Sequence, residues 1–149
     1  MTLQLKNKSY FCSIMNNTRF ATVIHILTVL ATNQNEWVSS DWIAGSININ
    51  PVIVRKELGL LQQLGWVISK KGKEGGSRLH VPSDKITLGD IYCLVKNSDV
   101  LGKKHQNPNP QCPVGKTINN TLEDLFIETD SLVIASLQKK TLKSFTEQF

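Results

Sequence analysis

The sequence is short of the features that mark several common protein classes. Three cysteines in 149 residues are too few, and odd in number, for a disulfide framework, and they fit a reducing compartment. Nine glycines and five prolines exclude collagen-like and low-complexity chains, and a 40% hydrophobic content is too high for a disordered one. No apolar run can span a bilayer. The longest, residues 20–31, is interrupted by Thr22, His25 and Thr28 and falls short of the roughly 20 residues a spanning helix needs. Behind Lys6, Lys8 and Arg19 that run could imitate a signal-peptide core, but Ala31-Thr32-Asn33-Gln34 follows it where a small-x-small cleavage site belongs. The expectation is a cytoplasmic protein with no membrane partner. No internal repeat is visible, and the length suits one core-forming domain.

The chain does have a mild basic excess, 17 Lys and Arg against 12 Asp and Glu, or +5. The excess is uneven. Residues 39–80 hold Arg55, Lys56, Lys70, Lys71, Lys73 and Arg78 against Asp41, Glu57 and Glu74, a balance of +3, whereas residues 110–149 hold four lysines and five acids, a balance of −1. A polyanion partner is permitted by this and, if present, belongs to the first of these segments.

Local signals order the elements. Thr18 or Asn17 can cap a helix running to about residue 32, with Phe20, Val23, Ile24, Leu27, Leu30 and Ala31 on its buried face. Ser39-Ser40-Asp41 reads as a second helix start, stopped by Gly45 after about two turns. Asn50 is an N-cap and Pro51 a first-turn residue for a third helix over 51–64, which Gly65 ends. In that helix Val54, Leu58 and Leu61, with Ile53, Leu60 and Leu64 beside them, face inward. Val52, Arg55, Lys56, Gly59, Gln62 and Gln63 make a polar outer face. Residues 66–70 and 77–81 alternate as two strands around a basic, glycine-rich turn. Thr87 caps a helix over 88–95, a loop fills 96–113, and an amphipathic helix runs from 116 to about 138. Thr141 caps a short final helix.

Helix, short helix, turn, polar-faced helix and basic hairpin is the order of a winged helix-turn-helix, in which the last helix enters the major groove and the hairpin follows the backbone. Arg55 can fork onto a guanine edge or a phosphate, and Gly59 leaves room for close approach. Asn50 and the amides at the helix start suit a phosphate, as do Lys70, Lys71, Lys73 and Arg78. The fold class expected is mainly α with a small β-hairpin: a winged helix-turn-helix DNA-binding domain plus a long C-terminal dimerisation helix. The boundaries expected are an extension at 1–14, the winged domain at 15–95, a loop at 96–115, and the dimerisation and terminal helices at 116–149.

These residues resemble the Rrf-type (IscR/NsrR-like) bacterial winged-helix regulators. The resemblance rests on Thr18-Arg19-Phe20 before Ile24-His25-Ile26-Leu27; Asn50-Pro51-Val52-x-Val54-Arg55; Leu61-x-x-Leu64-Gly65; Gly75-Gly76; Ile86-Thr87-Leu88-Gly89-Asp90-Ile91; and Thr141-Leu142. It implies a transcription regulator, a repressor or activator, that binds double-stranded DNA as a homodimer on partly palindromic sites. We expect repression, with helix 51–64 in the groove and wing 66–82 on the backbone. By position it adds Arg19, Ser39, Ser40, Pro51, Val52, Lys56, Gly75 and Gly76 to the DNA-contacting candidates Asn50, Arg55, Lys70, Lys71, Lys73 and Arg78. It also implies pairing of the long helices, for which Ile118, Leu122, Leu125, Leu132, Val133 and Leu137 are the candidates.

The resemblance stops at the loop. Cluster-binding relatives carry three closely spaced cysteines there, whereas residues 96–115 hold Cys112 alone. An iron–sulfur cluster needs about four protein ligands, so the expectation is no cofactor and no metal. Cys112 is instead the redox candidate, since a helix start with Lys103, Lys104 and Lys116 near in sequence is the setting in which reactive thiols occur. Cys93, among Ile91, Leu94 and Val95, reads as a packed small hydrophobe. Two rival readings are a winged-helix protein-interaction module without specific DNA binding, and a cysteine enzyme using Cys112 with His105 or His80 as base. Against the latter, no nucleophile motif or phosphate-cradling loop is present, and the chain is read as not an enzyme.

Overall fold

Helix α1 (Arg19–Thr32) is buried on most sides, with Val23, Ile26, Leu27 and Leu30 wholly enclosed. Thr22 and Thr28 reach this interior because their hydroxyls donate to carbonyls one turn back, Thr22 to Thr18 and Thr28 to Ile24, while exposed Thr32 donates likewise to Thr28. The computed structural model describes residues 18–149; the extension 1–14, Cys12 and Asn17 lie outside them. Thr18 does precede the helix, but its side chain makes no cap bond. Its carbonyl instead accepts from both the amide and the hydroxyl of Thr22.

Helix α2 (Ser40–Ile47) starts where Ser39 Oγ accepts from the amide of Trp42 at 3.1 Å. It does not stop at Gly45. The helix runs through that glycine, at the modest cost an internal glycine carries, and ends at Asn48, which takes the left-handed conformation at φ 62° that asparagine tolerates. Helix α3 (Pro51–Gln63) begins as expected, with Asn50 Oδ1 accepting from the Val52 amide at 2.9 Å. Its buried stripe is Val54, Glu57, Leu58 and Leu61. Ile53 and Leu64, expected to face inward, are exposed, because the stripe at spacings of three and four residues passes through Glu57 and leaves no room for their side of the helix.

Strands β1 (Val67–Lys70) and β2 (Gly76–Leu79) pair antiparallel with Val67 opposite Leu79 and Lys70 opposite Gly76. Val38 adds a third edge. Its amide donates to the Ser77 carbonyl at 3.0 Å and its carbonyl accepts from the Ser77 amide at 2.8 Å. Close backbone approaches, of Val38 to Gly76 and of Lys70 to Gly75, are why two glycines stand here. A Cβ on Gly76 would lie 2.5 Å from the Val38 oxygen, and one on Gly75 closer still to the Lys70 oxygen.

A 3₁₀ turn (Ser83–Lys85) leads into α4 (Leu88–Val95), which opens with a full capping box: Thr87 Oγ1 accepts from the Asp90 amide and Asp90 Oδ2 from the Thr87 amide, both at 3.0 Å. Cys93 is exposed on this helix, not packed as its apolar neighbours suggest. The buried positions are Leu88, Ile91 and Val95, and the helical period turns residue 93 outward. Helix α5 (Pro113–Gln138) starts three residues before the expected 116, with Pro113 in its first turn. Buried Asp130 pins the preceding loop to it, pairing with Lys96 and accepting from the Val100 amide at 2.8 Å.

Helix α6 (Leu142–Thr146), capped by Thr141, folds back onto the start of the winged unit. The Leu88 amide donates to the Lys140 carbonyl and the Leu142 amide to the Ile86 carbonyl, both at 2.8 Å, and Leu142 is fully buried in the core that α1 centres. The architecture is thus mainly helical, with one antiparallel hairpin and a long C-terminal helix.

Candidate nucleic-acid interface

Local capping sets the approach angle of α3. Asn50 and Pro51 fix its first turn, and the Val54–Leu61 stripe anchors it to the core. Val52, Arg55, Lys56, Gly59, Gln62 and Gln63 are left exposed together, as the sequence implied. Among the described residues, nothing beyond the neighbouring backbone of the helix itself lies within 4 Å of where a Gly59 Cβ would stand, so a surface can approach the backbone there.

The start of α2 and the wing turn adjoin. Ser39, Trp42, Lys73 and Gly75 line one cleft. Lys70, Lys71 and Lys73 are exposed along the hairpin. Arg78 is half-buried, its guanidinium 4.7 Å from the centre of the Trp37 ring, and Lys70 Nζ lies 6.0 Å from the same ring. Trp37 therefore stiffens the base of the wing through cation–π contacts, a role invisible in the sequence because the tryptophan precedes α2 and its cations lie on the hairpin.

Two of the candidate arginines already have acidic partners. Arg55 Nη2 donates to Asp41 Oδ1 at 2.9 Å and its Nε to Ser40 Oγ at 3.2 Å. Arg19 donates from Nε and Nη2 to the two carboxylate oxygens of Glu57 at 2.8 and 3.0 Å. The Glu57 side chain is 5% exposed and that of Arg19 36%. The bonds to Glu57 hold the guanidinium above its ordinary pKa, against the opposing effect of burial. Arg19 thus ties α1 to the rear face of α3, and at least two of its donors serve that tie. Glu57 went unassigned in the sequence because an acid in a core stripe has no signature until its cation is located.

On α5 the six dimer candidates divide. Leu125 and Leu132 are exposed, Leu132 at 66%, while Ile118, Leu122 and Val133 are half-buried. Leu137 packs against the core of its own chain. Ile118, Leu125 and Leu132 recur every seven residues. Val114 and Ile127, which fall outside the six, are exposed apolar residues on the same helix.

Cys112 is exposed at the N-cap position of α5. No group of three His, Cys, Asp or Glu among the described residues is placed to hold a metal ion. No helix of the described residues is long and apolar enough to cross a membrane.

Known proteins match this arrangement. Residues 16–148 match the Rrf2 family, described as an iron-dependent transcriptional regulator. YwnA of Bacillus subtilis, named as an HTH-type transcriptional regulator, is 40% identical over 129 residues, covering 87% of this chain and 95% of its own. A crystal structure described as a transcriptional regulator from Lactobacillus plantarum superposes with a TM-score of 0.73 at 26% identity, over 87% of this chain and 88% of that one. The structure of CymR, the global cysteine regulator of B. subtilis, shares the fold with a TM-score of 0.67 at 22% identity, over 89% and 96% of the two chains.

Proposed function

This chain belongs to the Rrf2 family of transcriptional regulators, and on that premise we propose that it acts as a homodimeric repressor on a partly palindromic operator. Helix α3 lies in the major groove, the hairpin follows the phosphate backbone, and two copies of α5 pair through the Ile118, Leu125 and Leu132 stripe. The observation that carries this reading is the exposed face of α3, which includes Val52, Arg55 and Lys56, together with a lysine-rich wing that shares a cleft with the start of α2. Asn50 and the first amides of α3 suit a phosphate, and Ser39 and Ser40 sit where a second one would pass. Arg19 acts from behind, through Glu57. Repression needs only that a bound dimer occupy promoter DNA and exclude polymerase.

The test is duplex binding as a function of salt. Each phosphate neutralised by a lysine contributes about −0.9 to the slope of log affinity against log salt. Lys71→Ala and Lys73→Ala, alone and together, are expected to flatten that slope by roughly 0.9 for each phosphate no longer neutralised, and to weaken operator and random duplexes alike. A wild-type protein without salt-dependent duplex binding would remove this reading in favour of a protein-interaction module.

Thiol-based sensing at Cys112, exposed where the loop meets the dimer helix, belongs to the same proposal. An oxidant such as diamide takes two electrons and two protons from two thiols, so that Cys112 joins by a disulfide to Cys112 of the other subunit or to Cys12, and the link shifts the spacing of the two recognition helices. Cys112→Ser is expected to keep duplex binding and lose its response to diamide, while Cys93→Ser keeps both. Equal responses of Cys112→Ser and wild type would end the proposal of a switch at this residue.

A further inference from the structure

Arg55 is held before any ligand arrives. Its two bonds, to Ser40 Oγ and Asp41 Oδ1 at the first turn of α2, come from Nε and one Nη2 hydrogen, a single edge of the planar guanidinium. Of the five N–H donors of an arginine, three remain, including the fork formed by Nη1 and the second Nη2 hydrogen. That fork matches the O6 and N7 acceptors of guanine in the major groove.

Asp41 is an odd residue to find here. It is an exposed carboxylate in the most basic part of the chain, on the face where phosphates would gather, and it repels them. An acid in the first turn of a helix or in an exposed ion pair adds little to stability, and neither role requires a contact with the arginine of the next helix. A residue that lowers affinity for DNA in general, while fixing the side chain best suited to a base, has the character of a specificity device.

We propose that Asp41, with Ser40, is a specificity-determining positioning residue that presents Arg55 to a guanine of the operator and keeps it off the phosphates. The proposal rests on the reading that α3 enters the major groove. Without the carboxylate, the long Arg55 side chain is free to swing to the nearest phosphate. Discrimination at one base pair then falls, while affinity for any duplex rises because a negative charge has gone. A purely structural Asp41 would move the second quantity and not the first.

The experiment selects binding sites from a randomised duplex pool with the full chain as wild type, Asp41→Ala, Arg55→Ala and the double variant, alongside affinity for random duplex and circular dichroism. Wild type is expected to prefer guanine at one position of each half-site by ~5- to 150-fold, the range of one bidentate base contact. Asp41→Ala is expected to reduce that preference by up to about fivefold, the reach of an exposed ion pair, and to bind random duplex more tightly than wild type. Arg55→Ala abolishes the preference, and the double variant shows no further loss. If Asp41→Ala keeps the wild-type preference while Arg55→Ala loses it, the positioning role is wrong and the major-groove reading stands. If Arg55→Ala keeps the preference, Arg55 reads no base and the inference falls. If wild type selects no sequence at all, the operator reading fails with it.

Discussion

Leu125→Asp is expected to convert the protein to monomers and to lower its affinity for a two-half-site operator by roughly 10²- to 10⁴-fold, the advantage that linking two binding modules confers. Leu125 lies outside the core on the exposed stripe of α5, one heptad from Ile118 and one from Leu132. In a monomer an aspartate there is solvated at little cost. Between two paired helices it meets its own symmetry mate, so two like charges would be desolvated together. The winged unit should keep its fold, since its core is drawn from α1 to α4 and from Leu142. Sedimentation velocity gives the mass, and anisotropy on whole and half operators gives the affinity. A monomer is expected to bind both duplexes alike, whereas a wild-type dimer is expected to favour the whole one, on which half-sites for paired recognition helices lie about 34–36 Å apart. A Leu125→Asp protein that stays dimeric would place the interface elsewhere than on this face.

The second large effect is on stability. Arg19→Ala is expected to cost about 3 kcal/mol or more, because it leaves the Glu57 carboxylate, on a residue 4% exposed, without its bidentate cation. The reverse change is milder. Glu57→Gln leaves Arg19 with access to solvent at 36% side-chain exposure, and a loss of about 1 kcal/mol is expected, in the range of a partly screened pair. Replacing both, as Arg19→Met with Glu57→Leu, should recover most of the stability, since an apolar pair of similar volume avoids desolvating charge. Urea denaturation of the four proteins measures this directly. Arg19→Ala and Glu57→Gln losing equally little would show that the pair behaves as a surface contact. Because Glu57 sits in the buried stripe of α3, operator affinity should fall with Arg19→Ala even at temperatures where the variant remains folded.

The pair also separates what was readable along the chain from what was not. Ser39, Asn50, Thr87 and Thr141 all cap helices in the structure, as their positions predict. Capping joins groups two or three residues apart, so its chemistry is complete within a short stretch of sequence. The same holds for the polar outer face of α3 and the two-strand hairpin, whose periods follow from backbone geometry alone. The order of these elements was enough to name the fold class, and the residue motifs on them carried the resemblance to the family.

The partners of particular side chains were another matter. Glu57 joins the core stripe because Arg19, 38 residues earlier, arrives beside it. Trp37 acquires its role when the hairpin brings Arg78 over its ring. Leu137 serves the core of its own chain and Leu132 does not, although both fit one amphipathic pattern. Asp41 meets Arg55 only once α2 and α3 have packed. The elements, their order and the basic face could be read along the chain because they depend on interactions within a turn or two. Which charges are neutralised, which apolar residues remain uncovered and which arginine is aimed outward were decided by packing across tens of residues, where neighbours are set by the fold as a whole.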